Sequence, residues 1–170
     1  MSPSLTSYSV QRTVASEKAM VQLGVQLGVE LRQSPSNRAL VFLDGDLGAG
    51  KTTLCRGVLQ AFGHTGAVKS PTYTLVESYQ LGDALLHHFD LYRLGDPEEL
   101  EFIGIRDYLH QRNYCLIEWP NRGTGILPVP DLEVMISVTK NGRDVSITAA
   151  TDVGDSILLA LGKKQQHKNN

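Results

Sequence analysis

Long apolar runs are missing from this 170-residue sequence. None approaches the roughly 18 consecutive apolar residues that a membrane-crossing helix needs, and the opening Met1-Ser2-Pro3-Ser4 is too polar for a secretion signal. These absences predict a cytoplasmic protein with no membrane partner. Cysteine is scarce as well. Cys55 and Cys115 fall in a predicted helix and a predicted strand without metal-ligand spacing, so they read as core thiols and exclude a disulfide scaffold. There is no basic excess: 16 Lys and Arg stand against 18 Asp and Glu, a net charge of −2. That balance argues against a chain that grips nucleic acid alone through a broad basic face. DNA is therefore not an expected partner, and RNA stays open only as part of a complex. No proline- or glycine-rich linker divides the chain, which predicts one domain over residues 1–162 and a polar, disordered tail over 163–170.

What is present is a phosphate-binding loop. Gly45-Asp46-Leu47-Gly48-Ala49-Gly50-Lys51-Thr52 fills every fixed position of the P-loop pattern. The apolar run over 39–43 before it reads as a buried strand. The stretch over 53–62 after it carries Leu54, Val58 and Phe62 at helical spacing. A chance match in a glycine-rich turn would lack that strand–loop–helix context. The glycines let the backbone turn its N–H groups around phosphate oxygens, and the helix N-terminus adds partial positive charge. Lys51 is then placed to neutralise the β/γ-phosphates, and the Thr52 hydroxyl to join a Mg²⁺ shell.

Periodicity around the loop sets the fold class. Residues 8–14 alternate as an edge strand. Ser16 caps a helix reaching Leu31, with Met20, Leu23, Leu27 and Leu31 on one stripe. The doubled Val-Gln-Leu-Gly over 21–28 is too short for an architectural repeat. Strands are expected over 70–79 and 85–91, joined at Gly82-Asp83, and over 114–117. Asp96-Pro97-Glu98-Glu99 reads as a helix start, and Gly104 as its break. A hairpin over 131–149 turns at Asn141-Gly142, and Asp152 opens a last helix through Leu161. The expected fold is α/β, a P-loop NTPase-like three-layer domain. Its central sheet is mixed, with antiparallel strands added to a parallel nucleotide-binding core.

Hydrolysis or transfer needs an acid near Mg²⁺ and a group to place the nucleophile. Glu118 ends the apolar run over 114–117 and is the strand-end candidate for a metal-site acid, the alternative being a surface glutamate. In His88-Phe89-Asp90-Leu91-Tyr92 the odd-even alternation puts His88, Asp90 and Tyr92 on one face and His87 on the other. Asp90 is a candidate for orienting the attacking water, against a simple pairing with Arg93. A His-x-Asp zinc site lacks a third ligand in the sequence. Ser70-Pro71-Thr72-Tyr73-Thr74 stands where a switch segment would reach the γ-phosphate, against a plain proline turn.

As an ordered set, the segments over 45–53, 69–77 (Lys-Ser-Pro-Thr-Tyr-Thr-Leu-Val-Glu), 88–94, 96–100 and 117–120 (Ile-Glu-Trp-Pro) resemble the TsaE family. This family, formerly YjeE, comprises bacterial P-loop ATPases of tRNA threonylcarbamoyladenosine (t6A) synthesis. The likeness spans roughly residues 10–160. It implies an ATPase with ATP and Mg²⁺ as ligands that joins TsaB and TsaD, the subunits completing t6A37 in ANN-decoding tRNAs. Hydrolysis would support turnover of that complex rather than the carbamoyl transfer, and tRNA would be met indirectly, through the complex. Carried over by position, Gly45, Asp46, Leu47, Gly48, Ala49, Gly50, Lys51, Thr52 and Thr53 hold the nucleotide, and Thr52 with Glu118 the metal. Asp90, Glu118 and Lys51 serve hydrolysis, with Trp119 beside the nucleotide; Glu17 and Arg143 are candidates for the adenine edge. The terminal extensions have no counterpart in the resemblance.

Two other classes remain open from the residues themselves. A small-molecule P-loop kinase would bring arginines over the phosphates, whereas Arg93, Arg106, Arg112 and Arg122 are scattered. A GTPase-like switch would carry a guanine-reading Asn/Thr-Lys-x-Asp, and Thr139-Lys140-Asn141-Gly142 lacks the final Asp.

Overall fold

A computed structural model of the chain describes residues 8–110 and 112–166. Along the chain run β1 (Ser9–Val14), α1 (Glu17–Gln33), β2 (Ala39–Gly45), α2 (Lys51–Ala61), β3 (Val76–Leu81) and β4 (Ala84–Asp90). Then come α3 (Glu99–Phe102), α4 (Ile105–His110), β5 (Tyr114–Glu118), a 3₁₀ turn (Pro120–Gly123), β6 (Leu132–Thr139), β7 (Gly142–Ala149) and α5 (Asp152–Gln166). The strands form one sheet in the order β1-β7-β6-β2-β5-β4-β3. Its middle, β6-β2-β5-β4, is parallel; β1, β7 and β3 pair antiparallel at the flanks. This is the mixed α/β sheet expected from the alternation of elements.

Alternation along each strand sorts the side chains into two layers of core. Val41, Leu43, Leu86 and Leu116 face α1, α2 and α5, where the Met20-Leu23-Leu27-Leu31 stripe is buried as its spacing predicts. Leu40, Phe89, Cys115 and Ile117 face the other way, against Leu100 and Ile105 of the short helices. The doubled Val-Gln-Leu-Gly does have an architectural use. Its four-residue step puts Gly24 and Gly28 on the α1 face that meets α2. A Cβ at Gly24 would sit 2.3 Å from the Leu54 carbonyl, and one at Gly57 2.2 Å from the Val21 carbonyl. The two helices therefore touch backbone to backbone, which holds the base of the phosphate loop close against α1.

Three boundaries differ from expectation. The strand predicted from residue 70 begins only at Val76. Pro71 has no N–H to give a ladder, and its carbonyl accepts from Leu75 N at 2.8 Å in a turn instead. The helix predicted at Asp96 starts at Glu99: the Asp96 carboxylate accepts from Glu98 N at 2.9 Å and caps a single turn, and the helix ends before Gly104, which has φ +74°. The last helix runs past Leu161 to Gln166, so residues 163–166 are helical rather than tail, and Lys164 pairs there with buried Glu30 of α1. Residues 1–7 and the remaining tail positions, 167–170, lie outside the described residues.

Candidate functional site

The site forms where the parallel strands end. β2 delivers the loop at Gly45, and the chain turns through Gly48 (φ +79°) and Gly50 (φ +115°) into α2. A Cβ at Gly48 would meet nothing within 4 Å, so glycine is needed there for its backbone angles rather than for space. α2 opens without a side-chain cap, and its first N–H groups are left to an anion. Lys51, at 5% exposure, donates to the Gly45 and Asp46 carbonyls, the latter at 3.0 Å. Burial pulls its ammonium pKa down, and the nearby carboxylates of Glu118, Asp44, Asp90 and Asp46 oppose that shift.

Glu118 and Asp90 arrive on neighbouring strands as Cα partners of the parallel β4–β5 pair. Both are buried, at 2% and 4% exposure. The Thr52 hydroxyl lies 3.0 Å from each Glu118 oxygen, and His88 Nε2 lies 2.6 Å from Glu118 Oε2. Asp90 does not pair with Arg93. It accepts from the Ser70 and Thr72 hydroxyls, the second at 3.2 Å, and from Tyr92 N at 2.9 Å. Arg93 instead packs its guanidinium 4.4 Å from the Tyr73 ring. Asp90 thereby ties the 70–74 segment to the site. Trp119 sits in the left-handed region (φ 58°), a cost that residues at functional sites often bear, and swings its indole over Lys51 at 4.1 Å and beside Tyr92 at 5.0 Å.

Two cavities, each of about 240 Å³, lie on either side of the loop. Lys51, Thr52, Thr53, Asp90, Glu118 and Trp119 line the first together with Leu47, Ser70 and Thr72. The second lies between the start of α1 and the β6–β7 turn, lined by Ser16, Glu17, Met20, Thr53, Gly142 and Arg143. Gly48, Ala49 and Gly50 line both. Glu17 pairs with Arg56 at 2.6 Å, and Arg143 Nε donates to the Ala49 carbonyl at 2.9 Å. Both residues suggested for the adenine edge thus border one cleft beside the loop, and Arg143 also braces the loop itself. The Thr52 hydroxyl and the buried carboxylates of Glu118 and Asp90 are hard oxygen donors of the kind Mg²⁺ takes.

The structure brings the sequence candidates Lys51, Thr52, Asp90 and Glu118 to one cavity, and it adds a His88–Glu118 contact that sequence reading did not foresee. The usable signal was a histidine two residues before Asp90, on the same strand face. His87 falls on the opposite face, as the alternation predicts: it meets Ser78 Oγ at 2.7 Å, lies edge-on to Tyr108 at 4.7 Å, and burial lowers its pKa. Among the described residues, Asp90 does not join His88 in a group of three candidate metal ligands. The cluster around His88 is Cys55 and Glu118, with ligand atoms within 4.8 Å of one another.

With this geometry in place, comparison with known proteins is decisive about kinship. The sequence profile described as "Threonylcarbamoyl adenosine biosynthesis protein TsaE" matches residues 14–145. The chain belongs to the TsaE family. A TsaE relative from Haemophilus influenzae is 49% identical over 159 residues, covering 93% of this chain and 98% of that protein. One from Bacillus subtilis is 36% identical over 127 residues, covering 75% and 78%. Both carry the name tRNA threonylcarbamoyladenosine biosynthesis protein TsaE. A crystal structure of Bacillus subtilis YdiB superposes with a TM-score of 0.78 at 24% identity, covering 95% of this chain and 99% of that one. At that identity it speaks for the fold alone. The match to the family profile takes in the phosphate loop, the 70–74 segment, Asp90, Glu118 and Trp119. No helix among the described residues is long and apolar enough to cross a membrane.

Proposed function

We propose that this TsaE-family chain takes part in t6A formation as the ATP-binding and ATP-hydrolysing subunit, working in the cytoplasm with TsaB and TsaD to support turnover of their complex. The observation that carries this reading is the contact of Thr52 with both Glu118 oxygens at 3.0 Å, beside Lys51 at the mouth of the loop. The relatives' shared name supports the pathway.

The loop N–H groups and Lys51 would receive the triphosphate, leaving the base to the cleft beside Glu17 and Arg143. Thr52 and Glu118 would hold Mg²⁺, which on binding neutralises charge on the phosphate oxygens. Asp90, which is buried beside Glu118 and accepts from Ser70 and Thr72, would orient a water toward the γ-phosphorus. In hydrolysis the water oxygen would bond to that phosphorus as the bond to the β–γ bridging oxygen breaks and the water gives up a proton to solvent, yielding ADP and phosphate. A kinase reading has less support: Arg106 is engaged by Glu101 at 2.9 Å and Arg93 by Tyr73, so neither is spare to cover phosphates. The test is ATP turnover with water as sole acceptor. The expected result is slow hydrolysis that TsaB and TsaD alter; fast transfer to a metabolite, unaffected by those proteins, would overturn it.

A further inference from the structure

Leu86, His88 and Asp90 occupy the same face of β4, the face that α2 covers. Leu86 belongs to the main core and Asp90 reaches the mouth of the site, while His88 lies between them at 0% exposure. An imidazole there gives up its hydration in a place where an aliphatic side chain would pack without loss. Its polar compensation is narrow. Nε2 meets Glu118 Oε2 at 2.6 Å, and Nδ1 has no hydrogen-bond partner among the described residues. The proton that makes a bond therefore belongs on Nε2, donated to the carboxylate.

Glu118 needs such a partner. Thr52 has one hydroxyl proton to share between two carboxylate oxygens equally 3.0 Å away, which by itself leaves the carboxylate free to rock. His88 pins one of those oxygens from the side opposite the mouth, through a strand that is itself paired with β5. Cys55 of α2 closes the remaining side of the cluster as a buried thiol.

We propose that His88 is a positioning residue: its Nε2–H fixes the Glu118 carboxylate against Thr52, and so sets how tightly Mg²⁺ is held with nucleotide and how fast the nucleotide is turned over. The proposal rests on the ATP-hydrolysing reading of the site. It makes a histidine in the core a functional expense rather than a structural asset.

The test compares His88→Leu, which keeps bulk and loses the donor, with His88→Gln, whose amide reaches about as far as Nε2, and His88→Asn, whose amide stops short. Three quantities are measured on the full chain: thermal midpoint, ATP turnover, and the Mg²⁺ concentration needed for the ATP-induced change in fluorescence of Trp119, the sole tryptophan. His88→Leu should keep or raise the midpoint, slow turnover about 10–100-fold and raise the Mg²⁺ requirement, as loss of a ligand-orienting partner does. His88→Gln should recover most of both, and His88→Asn should not, which keeps the comparison informative even if the leucine variant fails to fold. In a Glu118→Gln background, His88→Asn should add no further loss. Wild-type turnover and Mg²⁺ requirement in both His88→Leu and His88→Asn would overturn the proposal, as would equal losses in His88→Gln and His88→Asn. If the unmodified protein hydrolyses no ATP, the functional reading falls, while the Mg²⁺ requirement still decides the role of His88.

Discussion

Glu118 concentrates the chemistry of this molecule in one side chain. It is almost dry, it touches Thr52 and His88, and it is the register partner of Asp90. Lys51 and Glu118 should therefore fail differently. Lys51→Ala removes the charged donor aimed at phosphate and should weaken ATP binding about 100-fold, read by calorimetry. Glu118→Gln should bind ATP within a few-fold of the unmodified chain while turnover drops about 100-fold; normal turnover would remove the metal-site assignment. The thiols should be silent. Burial raises the Cys55 thiol pKa far, with help from the charges of Glu118 and Asp90, and pushes Cys115 up to about 12. Both stay protonated near neutral pH, so native protein should resist iodoacetamide and denatured protein should take up label at both. At this scale the sequence was most readable where one residue type has one use, as at Lys51 and Thr52. It was least readable at His88, where the partner lies 30 positions away and no local pattern announces it.

Elements explain how the residues are held. β2, the loop and α2 were legible because a single motif specifies strand end, turn and helix start together. The β6–β7 hairpin was legible from Asn141-Gly142, although its two-residue turn is Lys140-Asn141 and Gly142 already pairs with Thr139. The 70–75 segment was not: its alternation resembles a strand, but Pro71 lacks a ladder donor and two of its hydroxyls are drawn to Asp90. The start of α3 was read too early for a similar reason, since the Asp96 signal specifies a turn, while Gly104 separates α3 from α4 as the sequence indicates. The α1–α2 contact yields a prediction at this scale. Gly57→Ala would place a Cβ 2.2 Å from the Val21 carbonyl, so the helices must part. Thermal or urea unfolding should show a loss of about 1–3 kcal/mol. An unchanged midpoint would mean the backbone contact is looser than described.

For the molecule as a whole, the parallel strands bring their C-terminal ends to one edge, where loop, acids and indole converge, as open α/β sheets generally do. The antiparallel additions are not decoration. The β6–β7 turn supplies Arg143 to the loop through Ala49, and β3 with its preceding segment supplies the hydroxyls that hold Asp90. The family and the class of fold were both readable from ordered motifs before any coordinates, because those motifs sit at strand ends that the topology gathers together. On the reading proposed above, so compact a site would serve as one part of an assembly whose partners respond to its nucleotide state. The most direct test is steady-state ATP hydrolysis by the full chain and by its Glu118→Gln variant, each alone and with TsaB and TsaD, alongside t6A formation on tRNA. The account predicts slow hydrolysis by the chain alone, a changed rate with the partners, and loss of both hydrolysis and sustained t6A formation in the variant. Sustained t6A formation at the full rate with a variant that binds ATP but cannot hydrolyse it would contradict the account.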